Sequence, residues 1–95
     1  MTHDQKHDRK FFSSLNCPAP VRWKDIQGYF TAIDIAHMKA KGIDLSDYQS
    51  VMINAVPIYN QVSAGSMPPP GSGEQEWPQA QIDMFGCWIQ QGCPK

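Results

Sequence analysis

The apolar positions of this chain recur mostly at intervals of three and four, which is the period of one face of an α-helix. The first run predicts a helix over residues 24–32 and consists of Trp23, Ile26, Phe30 and Ile33. A second helical piece follows, which carries Ala36, His37 and Met38. We expect Asp34 to begin this piece as its N-cap and Gly42 to end it.

A longer apolar set predicts helix through the middle of the chain. Its members are Tyr48, Val51, Met52, Ala55, Ile58, Tyr59 and Val62. Ser46 and Gln49 fit a capping box, which places the start of this helix at Asp47. Pro57 lacks an amide donor and clashes with the preceding turn, so we expect the helix to kink or split near Asn54.

The last helix is predicted to begin at Trp77-Pro78, because proline is favoured in the first turn of a helix. Its buried face is predicted to carry Ile82, Phe85, Trp88 and Ile89, and Gly92 ends it. The proline-rich stretch before it, residues 68–71, cannot be helical. The predicted fold class is therefore all-α, with four or five short helices and no strands.

Composition limits the domain count and the partners. Ninety-five residues make one domain with a small core. Residues 1–20 are charged and then proline-rich, so we interpret them as a flexible or docking extension of a helical domain at residues 21–95. The formal net charge of −1 creates no field that would attract nucleic acid or an anionic membrane, and neither is an expected partner. The start lacks the apolar segment of a secretory signal, and no run approaches the ~20 apolar residues of a membrane span, so we expect a cytoplasmic protein.

The order and spacing of several short motifs resemble the cytochrome c-like fold. The motifs are Asp-Leu-Ser-Asp-Tyr at residues 44–48, Asn54-Ala55 with Ile58, Gly65-x-Met67-Pro68-Pro69, Trp77-Pro78, and Phe85-x-x-Trp88-Ile89-x-x-Gly92. The resemblance covers residues 21–94 and is closest to small bacterial relatives that lack haem and have no assigned function. It implies a small cytochrome c-like bundle with a Met-Pro-Pro loop before the C-terminal helix, and it implies almost no activity.

The attachment motif for haem is missing. Cytochromes c carry Cys-x-x-Cys-His, whereas the matching residues 33–37 are Ile-Asp-Ile-Ala-His. Covalent haem is therefore not expected, and Ile33 and Ala36 are interpreted as fillers of the vacated space. His37 and Met67 stand at the positions of the axial ligands, so the resemblance leaves open a haem held without covalent bonds, or a copper ion. In the other interpretation, His37 is a surface residue and Met67 fills the core beneath the proline loop.

Three cysteines leave at least one thiol unpaired. Cys87 and Cys93 lie six residues apart, and a chain reversal at Gly92 could bring them within reach of a disulfide. Cys17 is another partner for either of them. In a reducing cytosol we expect free thiols instead. A redox sensor that uses Cys87 and Cys93 is a third functional hypothesis.

Function is predicted from the aromatic and proline content rather than from a catalytic motif. The sequence has no phosphate-binding glycine loop, no nucleophile elbow and no evident acid–base pair, so it is not interpreted as an enzyme. Exposed aromatic side chains beside a rigid proline loop are typical anchors for a protein partner. We therefore expect an accessory or protein-binding module without a cofactor, serving a larger enzyme. The predicted contact residues are Met67, Pro68, Pro69, Pro70 and Trp77.

Overall fold

A computed structural model describes residues 17, 19–68, 71 and 73–95. Its five α-helices are Trp23–Ile26 (α1), Ala32–Lys39 (α2), Tyr48–Ile53 (α3), Ala55–Ser63 (α4) and Gln79–Gln90 (α5). A 3₁₀ turn, Gln27–Tyr29, follows α1, and these described ranges contain no β-strand. The predicted all-α fold class is therefore confirmed. Residues 1–16 of the predicted extension lie outside the described residues.

The first predicted helix is shorter than its apolar spacing suggested. α1 ends at Ile26, the 3₁₀ turn ends at Tyr29, and Phe30 has an extended backbone with ψ 119°. The reason is that α2 begins early, because Thr31 is its N-cap. The Thr31 hydroxyl accepts a hydrogen bond from the Asp34 amide at 3.2 Å, and Asp34 Oδ2 accepts one from the Thr31 amide at 3.3 Å. Asp34 is thus the third helical residue of a capping box, and its prediction as the N-cap is wrong.

The predicted middle helix is divided near Asn54, as the position of Pro57 in the sequence predicts. α3 ends at Ile53, α4 begins at Ala55, and Asn54 lies between them, so Pro57 occupies the first turn of α4 where its missing amide costs nothing. The cap of α3 differs from the prediction. Asp47 rather than Ser46 is the N-cap, since its carboxylate accepts from the Ser50 amide at 2.9 Å.

A row of aromatic rings forms the centre of the core. Trp88 and Phe85 of α5 are fully buried and stack with ring centroids 5.6 Å apart. The row continues from Trp88 to Trp23 at 6.0 Å, and from Phe85 to Phe30 at 6.0 Å. Each such pair contributes about 0.5–1.5 kcal/mol beyond its buried area. α5 therefore packs on α1 and α4 around these rings, and Trp88 is a core residue.

The C-terminal tail is held against the helices by hydrogen bonds. The carbonyl of Pro94 accepts from the Trp23 amide at 3.0 Å and from the Trp88 indole at 2.8 Å. The Tyr48 hydroxyl donates to the carbonyl of Cys93 at 2.6 Å. The reversal that brings the tail back depends on Gly92, whose φ of 89° is accessible to glycine at little cost.

One disulfide joins Cys17 to Cys87, with the Cα atoms 5.6 Å apart. The predicted pairing of Cys87 with Cys93 is wrong, and so is the expectation of three free thiols, because Cys87 faces the incoming chain at residue 17. Cys93 is a buried free thiol. Gln91 adds two bonds to the same contact, accepting from the Val21 amide at 2.7 Å and donating to the Ala19 carbonyl at 3.2 Å.

Within the described ranges, no helix is sufficiently long and apolar for a membrane span.

Candidate functional site

A cleft of about 270 Å³ opens beside the start of α2. One wall is the 3₁₀ turn with the first turn of α2, and the other is the segment of residues 74–78 that leads into α5. The lining residues are Gly28, Tyr29, Thr31, Asp34, Pro68, Glu74, Gln75, Glu76, Trp77, Pro78 and Gln81. The cleft therefore lies at the junction of residues that are distant in the sequence.

Asp34 lines this cleft with a carboxylate that is only half satisfied. Its Oδ2 accepts from the Thr31 amide, whereas its Oδ1 is buried and has no hydrogen-bond partner. Burial raises the pKa of Asp34, and the charge of Glu74 raises it further, while the hydrogen bonds from Thr31 and the nearby His37 oppose the shift. Leaving a buried acceptor unpaired costs about 1–3 kcal/mol, so this arrangement is expensive for the fold.

Trp77 contributes the second unpaired polar atom. Its indole Nε1 is buried without a hydrogen-bond partner, and the side chain is only 6% exposed. The ring is fixed by edge contact with Tyr29 at 5.4 Å between centroids, and by Phe30 at 5.5 Å and Phe85 at 5.9 Å. The orientation of the indole is thus set by packing, not by a bond to its nitrogen.

The described residues that line the cleft carry charge of one sign. Asp34, Glu74 and Glu76 supply three carboxylates, and none of these described lining residues is lysine, arginine or histidine. Glu76 also reaches the end of α4, because its carboxylate would lie 2.9 Å from a Cβ atom placed on Gly65. The cleft is therefore an acidic site with aromatic walls.

The arrangement is chemically incomplete as it stands. Buried polar atoms in proteins are almost always paired, yet this cleft has one unpaired acceptor and one unpaired donor among its lining residues. A molecule that donates to Asp34 and accepts from Trp77 would satisfy both. Among the described residues there is no group of three His, Cys, Asp or Glu side chains placed to hold a metal ion.

The residues predicted to contact a partner are largely enclosed. Met67 is fully buried in the core, and Pro68 and Trp77 are buried and line the cleft. The interpretation of Met67 as an exposed anchor at the loop tip is wrong, and the interpretation of Met67 as a core residue is confirmed, because its apolar side chain gains about 1.5–3 kcal/mol from burial. Pro69 and Pro70 lie outside the described residues.

His37 and Met67 do not share the cleft. His37 is half-buried on α2 and is not one of the lining residues, and Met67 is packed among core side chains. Ile33 is 40% exposed and Ala36 is exposed, so the expectation that they fill a vacated haem space is wrong. Haem or copper binding through His37 and Met67 stays a prediction.

From the sequence, Asp34 is predicted as a helix cap, and neither Glu74 nor Glu76 is among the predicted contact residues. The capping role of Asp34 uses only one of its two oxygens, and the sequence gives no local signal for what buries the other. A threonine three residues before Asp34 was the readable sign of the capping box.

The chain is similar in sequence to a segment of a known enzyme. The chain is 32% identical over 89 residues to cyclopenase asqI of Emericella nidulans, and the match covers 82% of this chain. The chain spans only 12% of the length of the cyclopenase. Neither a family model nor a solved structure matches the chain.

Proposed function

We propose that this chain is an accessory domain that binds a protein partner, and that the partner is a larger enzyme. The similarity supports this proposal, because most of the chain resembles a segment that makes up 12% of a cyclopenase. A segment of this size within a larger enzyme is of the order of a single small domain. Whether the catalytic part is joined to the domain or separate from it, the domain's role is to contact it.

The observation that carries the proposal is the pair of unpaired atoms in the acidic cleft. Asp34 Oδ1 and Trp77 Nε1 are held in place by a capping box and by aromatic packing, and neither atom has a hydrogen-bond partner among the described residues. An unpaired buried polar atom destabilises the free domain. Such atoms are retained at sites that contact a partner, because the partner supplies the missing hydrogen bond when it binds. The contact surface we propose is this cleft, with Met67 supporting it from the core rather than entering the partner.

The alternative is an electron carrier that binds haem or copper through His37 and Met67. It would require Met67 to leave the core, where its side chain is 0% exposed. No contact of His37 in the described structure favours this function over the accessory role.

Affinity capture from native-host extract tests the accessory proposal when the bait carries matched substitutions. We expect the wild type and the control Asp44→Asn, which removes the same charge outside the cleft, to retain one partner in comparable amount. Asp34→Asn and Trp77→Phe should lose that partner while their thermal unfolding stays cooperative. A partner retained equally by all four baits would contradict the assignment of the cleft. A partner lost only in Ile53→Ser, at the exposed Ile53, would place the contact elsewhere.

A further inference from the structure

We propose that the cleft binds the side-chain ammonium group of a lysine on the partner protein, with a backbone carbonyl beside that lysine accepting from Trp77. The proposal deepens the accessory function and rests on it. It concerns the chemistry of the occupant, and each feature of the cleft restricts that chemistry in a different way.

The charge and the walls of the cleft favour an organic cation. Three carboxylate residues line it, and none of its lining residues in the described part of the chain is basic. Tyr29 of one wall and Trp77 of the other are in edge-to-face contact, with their ring centroids 5.4 Å apart. Aromatic faces attract cations within about 6 Å, and the attraction increases when water is excluded.

Asp34 favours an ammonium over a guanidinium. Its Oδ2 already accepts from the Thr31 amide, so only Oδ1 is unpaired. A guanidinium binds best to a carboxylate with two free oxygens, in parallel hydrogen bonds. A single free oxygen suits the point donor of a lysine.

Trp77 requires an acceptor as well as a cation. Its Nε1 can only donate, so an amine alone would leave it unpaired. A polypeptide carries carbonyl oxygens beside every side chain, which a free alkylamine does not. The donor therefore indicates a lysine within a protein chain.

The size of the cleft points to one side chain. Its volume of about 270 Å³ is below the range of about 300–1,000 Å³ that is usual for small-molecule pockets. A divalent metal ion is a poorer fit, since the described residues provide no chelating group of three. Both unpaired atoms are closed to water in the free protein, so the lysine reaches them only when side chains that line the cleft shift.

The test is a titration of ¹⁵N-labelled protein with blocked single residues, followed by the indole signal of Trp77. The probes are N-acetyl-lysine N-methylamide, its norleucine and arginine analogues, and its Nζ-acetylated form. We expect the lysine probe to shift the Trp77 signal saturably, and the norleucine and acetylated probes to bind at least about tenfold more weakly. Asp34→Asn should weaken lysine binding by about tenfold or more, whereas Asp44→Asn should leave it unchanged.

Three results would overturn the proposal. They are equal binding of lysine and norleucine, tighter binding of arginine, and undiminished lysine binding by folded Asp34→Asn. Trp77→Phe keeps an aromatic ring without the donor, so it should weaken the lysine probe but not abolish the shifts of neighbouring amides. If the cleft variants lose the captured partner while the lysine probe fails to bind, the accessory function stands and the lysine assignment is wrong. If the lysine probe binds but no partner depends on the cleft, the accessory function fails.

Discussion

Cys17 and Cys87 are 70 positions apart in the sequence and are joined by a disulfide that fixes the start of the described chain to α5. Gln91 reinforces the same contact through Val21 and Ala19. The cross-link closes a loop that contains almost the whole domain. Because a small core contributes little stability, this constraint is a large part of what holds the fold.

Loss of the cross-link should lower the free energy of unfolding substantially. In the chain-entropy description a loop of this length contributes about 4 kcal/mol, so Cys17→Ser should reduce stability by roughly that amount. Urea unfolding of the oxidised wild type and the variant measures the difference. Dithiothreitol should bring the wild type to the level of the variant and leave the variant unchanged. Equal stability of both proteins without reductant would show that the bond does not form.

The thiol of Cys93 should be nearly inert in the folded protein. Burial raises its pKa to about 11 from a usual value of 9.0, so the reactive thiolate is roughly a hundredfold scarcer near pH 8. Iodoacetamide should add no group to the native chain, one after unfolding without reductant, and three after unfolding with reductant.

Chymotryptic cleavage after Phe85 and Trp88 separates Cys87 from Cys93, so a cross-linked pair of peptides 86–88 and 13–23 would establish the connectivity. A cross-link between 86–88 and the peptide that contains Cys93 would refute it.

Gly65 should tolerate a side chain poorly. Its φ is 78°, and a Cβ atom there would lie 2.9 Å from the Glu76 carboxylate. Gly65→Ala should lower the free energy of unfolding by about 1–2 kcal/mol, chiefly through the left-handed backbone. Gly28→Ala is the matched control, since Gly28 lacks a positive φ and a Cβ atom there meets nothing within 4 Å. Thermal unfolding of both variants provides the measurement, and equal losses would argue against the backbone explanation.

The stability of the free domain should carry a pH dependence from Asp34. Burial and Glu74 raise its folded pKa above the usual 3.8, while His37 and Thr31 act in the opposite direction. At pH values between the unfolded and the folded pKa of Asp34, the folded state therefore binds more protons than the unfolded state. The stability that Asp34 contributes is thus fully present below pH 3.8 and is lost as the pH rises through the folded pKa.

Asp34→Asn removes this titration but keeps an oxygen that accepts from the Thr31 amide. We expect the stability of the variant relative to the wild type to increase as pH rises from about 3 to 6. Urea unfolding at several pH values measures the difference in the free energy of unfolding between the variant and the wild type. The contributions of the other carboxylates cancel in this difference. A pH-independent difference would mean that Asp34 is not desolvated in the folded protein.

Local rules predicted the helices better than their ends. Pro57 located the division at Asn54, because the missing amide acts on the adjacent turn alone. The cap of α3 was displaced from Ser46 to Asp47 because two neighbouring polar residues can each serve as the cap. Only the course of the backbone decides between them.

The candidate site and the disulfide could not be predicted from spacing. Asp34 lies at the start of α2, and Trp77 precedes α5, so their place in one cleft depends on the tertiary packing of segments that are distant in the sequence. Cys17 and Cys87 meet for the same reason. The Met-Pro-Pro and Trp-Pro motifs predicted a contact loop. Of its residues, Pro68 and Trp77 line the cleft, whereas Met67 is buried in the core.

The indole signals of ¹⁵N-labelled protein in complex with the captured partner test the binding role of the cleft most directly. Trp88 already donates to the Pro94 carbonyl and serves as the internal reference. Trp77 has no acceptor in the free domain, so the partner should move its signal and slow its hydrogen exchange while Trp88 stays in place. A complex in which the Trp77 signal and its exchange are unchanged would contradict the account.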